Sequence, residues 1–125
     1  MSNITITQVT NTTVVLGGRI EKVESVAFAG ADVFAKGTVM ARNTSTKKIV
    51  PWANAGANGT NVPVGVLDVE VTATGAGNID APIVKAGIVD GAKLIEDGVG
   101  AVTDVLYYDA LQANSGITVV EVTEA

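Results

Sequence analysis

Cysteine and histidine are both missing from this 125-residue sequence. Their absence removes disulfides, thiol chemistry, haem ligation, histidine acid–base catalysis and any ordinary zinc site. Stability has to come from packing and assembly. Aromatic residues are scarce as well, with one Trp, two Tyr and two Phe. The 47% apolar content is therefore mostly Val, Ile, Ala and Leu, and the β-branched part of that set suits pleated, half-buried surfaces. No apolar run approaches the roughly 18 residues of a membrane helix. The first residues, Met1-Ser2-Asn3-Ile4-Thr5-Ile6-Thr7, lack the basic region and apolar stretch of a signal peptide. The expectation is a chain that stays in the cytosol where it is made and uses no membrane.

Basic residues are few, and they are unevenly placed. Residues 1–50 carry six basic against three acidic side chains, whereas residues 51–125 carry two against ten. The net charge of −5 disfavours direct nucleic-acid binding, which needs a concentrated basic surface. The asymmetry reads first as two solvated faces. A sharper reading sets the positive edge of one copy against the negative edge of a neighbour. A small domain with mean hydropathy +0.38 should leave apolar surface exposed as a monomer, and an oligomer is the natural place to bury it.

Period-two patterns dominate what is present. Ile4-Thr5-Ile6-Thr7 alternates, Thr12 to Leu16 follows, and Gly17-Gly18 breaks the chain before a charged and apolar alternation from Arg19 to Ser25. This divides the chain into an N-terminal arm or β extension over 1–25 and a β domain over 26–125. Thr38 to Arg42 and Lys47 to Trp52 form a hairpin around the polar turn Asn43 to Thr46, with Pro51 marking an edge. Val64 to Val71 reads as one strand, with Leu67, Val69 and Val71 inward and Asp68 and Glu70 in water. Pro82 to Val89 is a further apolar run ended by Asp90-Gly91. Thr103 or Asp104 is positioned to cap a short helix running to Asn114, with Tyr107, Ala110, Leu111 and Asn114 on one face. Ile117 to Val122 is the last strand. Many short strands and one short C-terminal helix predict a mainly β protein, a compact barrel rather than a layered α/β fold.

The search for chemistry finds little. Gly75-Ala76-Gly77 is followed by Asn78-Ile79-Asp80, without the glycine of a dinucleotide fingerprint. Glu96-Asp97 fits a solvated turn better than a cation site, because hard cations need many converging oxygens. Asp68 and Glu70 share a wet face, where nothing separates their pKa values for acid–base work. No catalytic, cofactor-binding or metal site is expected, and no cofactor. Trp52 is a candidate interface anchor, since Trp is enriched at such positions, and equally a candidate for the core. Four Asn-x-Ser/Thr matches, at Asn3, Asn11, Asn43 and Asn58, reflect a Thr- and Asn-rich composition.

The segment Gly37 to Arg42, the turn Asn43 to Thr46 and the return strand Lys47-Lys48-Ile49-Val50-Pro51-Trp52 resemble the lambda-type bacteriophage head decoration protein family. So do Val64-Gly65-Val66-Leu67, Asp80 to Gly87, and Asp109 to Ala113 with Gly116-Ile117. The likeness covers about residues 26 to 122. It implies a β-clip-like fold and a non-enzymatic, capsid-stabilising (cementing) homotrimer on the outer surface of the expanded phage head. The trimer would sit at threefold positions, with the major capsid protein as partner, resisting the pressure of packaged DNA. It implies a virion location, reached from the host cytoplasm during assembly. Family precedent also makes the N-terminal segment a capsid contact, with Ile4, Ile6 and Val9 as the apolar side chains of an added strand.

A second class is a carbohydrate- or receptor-binding β module on a virion surface. It requires an aromatic platform, for which Trp52, Tyr107 and Tyr108 are the candidates. A nucleotide-hydrolysing β-clip enzyme ranks last, because its acidic and Ser/Gly motifs are missing.

Overall fold

A computed structural model describes residues 14–102 and 105–120. Five strands close into a barrel. They are β1 (Val15–Phe28), β3 (Val39–Arg42), β4 (Ile49–Pro51), β5 (Pro63–Leu67) and β7 (Gly77–Asp90). The order is β1-β4-β3-β5-β7, and β7 returns to pair antiparallel with β1 from Val15↔Val89 to Phe28↔Gly77. Outside the ring, β10 (Gly116–Val120) pairs parallel to the C-terminal half of β7. A small pair of strands, β2 (Asp32–Phe34) and β6 (Val71–Ala73), and a hairpin, β8 (Ile95–Glu96) with β9 (Gly100–Ala101), complete the β structure. The one α-helix described is α1 (Val105–Asn114). The expected mainly β barrel with a short C-terminal helix is what forms.

Two apolar cores lie on opposite faces of the β3–β5–β7 wall. Successive residues alternate between them: Val66 belongs to one and Leu67 to the other, as do Val84 and Ile83, and Ala41 and Met40. The core that contains Met40, Leu67 and Ile83 also takes Val26 from β1 and Ile49 from β4, so it fills the barrel interior. Phe28 and Phe34 stack within it, ring centroids 4.2 Å apart. The other core contains Tyr108 and Leu111 of α1 and Ile117 of β10, so it lies between the outside of the wall and the helix.

This double burial explains where the sequence pattern misleads. The expected strand from Val64 to Val71 stops at Leu67 and resumes at Val71. Asp68 is buried and Val69 exposed, the reverse of the expectation. The Asp68 carboxylate takes the Arg19 guanidinium at 3.0 Å, and the chain turns there. Gly17-Gly18 does not end a strand either. It forms a bulge, with register shifts on either side, inside a continuous β1. The expected boundary at residue 25 therefore falls within a strand.

Other readings hold. The Asn43 side chain accepts the Ser45 and Thr46 backbone N–H groups at 2.9 and 3.1 Å, closing the polar turn. Pro51 lies beyond the single β4–β1 pairing at Ile49, on a locally open edge. The helix begins at Val105, and its expected caps, Thr103 and Asp104, lie outside the described residues. Its buried side is Tyr108 and Leu111, with Tyr107 half-buried and Asn114 exposed.

Candidate functional site

Both ends of the described chain leave one end of the barrel. Val15 pairs with Val89 on one side of β7, and Val120 pairs with Asp90 on the other. The Asp90 N–H donates to the Val14 carbonyl at 2.8 Å, which fixes the start of β1 to the end of β7. Asp90 is fully buried, and its carboxylate accepts the Ala92 N–H at 3.0 Å, turning the chain into the short helical turn Gly91–Lys93. The apolar arm candidates Ile4, Ile6 and Val9 precede this point and lie outside the described residues.

Next to that end, apolar side chains face outward from a sheet. Ile20 is 62% exposed and Ile88 43%. They share a face, because Ile20 pairs with Ala86, two residues before Ile88 on β7. Thr118 of β10 stands opposite Ile88 on the same face. Val23, 64% exposed, adds apolar surface further along β1.

The outer edge of β10 is guarded from within. Its Val119 N–H donates to the Gln112 side-chain oxygen at 2.9 Å, and its Ile117 N–H to the Ser115 hydroxyl at 3.1 Å. Parallel pairing turns alternate N–H groups away from the partner strand. These two donors, which an edge would otherwise offer to another chain, are thus taken by the preceding helix.

Charges organise the β1–β7 ribbon. Glu24 accepts from Arg42 of β3 and from Lys85 of β7, the latter at 3.0 Å. Burial alone would raise the Glu24 carboxyl, but Lys85 and Arg42 outweigh it and hold it below its ordinary range. Glu21 behaves oppositely. A hydrogen bond shared with Asp68, then burial and the Asp68 charge, raise it despite Arg19. Burial and the nearby Asp32 raise Asp97.

Trp52, weighed as interface or core, is 2% exposed. Its ring N–H donates to the Asn61 carbonyl at 2.9 Å, and its ring meets Tyr107 edge-on at 4.9 Å. The indole packs the outer core and keeps almost no surface for a partner. Tyr108 is buried too, its hydroxyl within 2.8 Å of the Val102 carbonyl and 3.2 Å of Gly91. The three aromatic residues a sugar platform requires are thus packed inward or half-buried. Neither the Gln112 guard nor the Glu24 cluster was found from sequence. Gln112 carries no local signal, and the Glu24 partners come from distant strands.

The family model for bacteriophage lambda head decoration protein D matches residues 4–117. No curated protein matches the chain. The match spans the whole barrel, the helix and the start of β10, in the order that the sequence resemblance set out. This chain belongs to the bacteriophage lambda head decoration protein D family, and its role is decoration of a phage capsid.

Proposed function

We propose that the chain forms a homotrimer on the outer surface of the expanded phage head, at its threefold positions. There it bridges neighbouring capsomers of the major capsid protein and stabilises the shell against packaged DNA. The observation that carries this reading beyond the family is the shared exit of both chain ends beside an exposed apolar sheet face. Residues 1–13 start from that end. In this reading they form the arm that adds a strand to an open edge of the major capsid protein, with Ile4, Ile6 and Val9 as its apolar contacts. The arm stops short of residue 25, because residues 15–25 are already paired with β7. Ile20, Val23 and Ile88 supply apolar area for a neighbouring copy to cover.

The mechanism is adhesion and needs no cofactor or turnover. A contact available only on the expanded lattice favours that lattice by mass action. Three arms on one trimer raise one another's effective concentration, so weak single contacts add to tight attachment. The subunit is made in the host cytoplasm and joins the head there.

The test adds purified protein to expanded and to unexpanded shells. Cosedimentation with expanded shells alone, abolished by deleting residues 1–13, is the expected result. Equal binding to both shells, or binding untouched by the deletion, would overturn the proposal. Light scattering at micromolar concentration checks the trimer, and a stable monomer there would count against it.

A further inference from the structure

An open groove of about 470 Å³ lies at the same end of the molecule. Val14 and Leu94, both buried, and the half-buried Ile95 give it an apolar floor. Lys36, exposed, and Lys93, half-buried, stand in its walls. An apolar floor with two ammonium groups favours an extended acidic segment that carries an apolar side chain between its charges.

Two segments of this chain start beside the groove. Residues 1–13 contain no charged side chain, so they offer the lysines nothing. Residues 121–125 read Glu121-Val122-Thr123-Glu124-Ala125, an apolar residue between two carboxylates. Val120 pairs with Asp90, and the groove wall begins two residues later at Ala92. Crossing β7 from the β10 side to the β1 side takes two strand spacings, about 10 Å. Five extended residues reach about 17 Å.

We propose that residues 121–125 close over this groove in their own chain, with Val122 on the apolar floor and Glu121 and Glu124 toward Lys36 and Lys93. The contact is independent of capsid binding. It would hold the acidic C-terminal segment on the same end of the subunit as the N-terminal arm.

Zero-length carbodiimide cross-linking of the full chain, read by mass spectrometry on a mixture of ¹⁴N- and ¹⁵N-labelled protein, tests this. Cross-links from Glu121 or Glu124 to Lys36 or Lys93 within one isotope label are expected. Cross-links only between labels would identify a second copy as the occupant and overturn the proposal, as would none to either lysine. A charge swap gives an independent readout. Carboxypeptidase removal of the last residues should accelerate several-fold in K36E/K93E and return toward the wild-type rate when E121K/E124K is added. Rates unmoved by the first pair, or not restored by the second, would also overturn it.

Discussion

Glu24 meets two cations at once, and Glu21, three residues earlier on the same strand, meets a carboxylate. Because the folded Glu24 carboxyl lies below its ordinary value of 4.5, its contribution to stability is full above that value and is lost as pH falls through the depressed one. Glu24→Gln should therefore cost about 1 kcal/mol near pH 7, a modest figure because Arg42 is partly exposed. Urea unfolding at pH 7 and pH 3 checks this, and a cost that stays the same at pH 3 would refute it. Glu21 has the opposite sign. Its raised carboxyl gains stability as pH falls through its folded value, so Glu21→Gln should be neutral or stabilising by up to about 0.5 kcal/mol at pH 7. The same unfolding series measures it. In the sequence the two residues look alike, as charges in an alternating strand. Only the strands that come alongside separate them, and Arg42 and Lys85 lie far from Glu24 in the chain.

Elements were easier to read than side chains. The hairpin around Asn43, the β7 run and the helix all follow from local pattern and turn chemistry. The strand expected from Val64 to Val71 did not, because a strand buried on both faces shows no alternation to mark where it ends. Asp68 looked solvated for the same reason. The guard on β10 was invisible, since a helix glutamine that reaches a later strand leaves no periodic trace. Gln112→Ala should free the Val119 N–H at an uncharged, β-branched edge. The expected outcome is a loss of about 1 kcal/mol in unfolding experiments, with concentration-dependent association seen by light scattering. If the variant matches wild type in both, the guard has no role. The close approach of β1 and β7 at their bulge depends on Gly87, at φ +127°, where an added Cβ would lie 2.8 Å from the Gly17 carbonyl oxygen. Gly87→Ala should destabilise by about 2 kcal/mol or more, and a melting temperature within a degree of wild type would refute this.

For the molecule as a whole, β1 is the strand that closes the barrel and carries the sequence-based domain boundary in its interior. Two deletions should then part company. Removing residues 1–13 should leave a cooperative unfolding transition, while removing residues 1–25 takes most of β1 and should abolish it. Circular dichroism through a thermal ramp distinguishes them, and cooperative melting of the longer deletion would count against the closing role of β1. The wall between the two cores has one more effect. In most sheets a one-residue slip is punished by water, because it turns the greasy side of a strand outward. Here Val66 and Leu67, or Ile83 and Val84, would merely trade compartments. Fidelity of alignment must then rest on shape, at spots such as Gly65, where an added methyl would lie 2.6 Å from Ile83 and 2.7 Å from the Val84 carbonyl oxygen. Errors during maturation of this barrel would thus be misfits of volume, hidden from solvent and from any probe that senses only exposed oil.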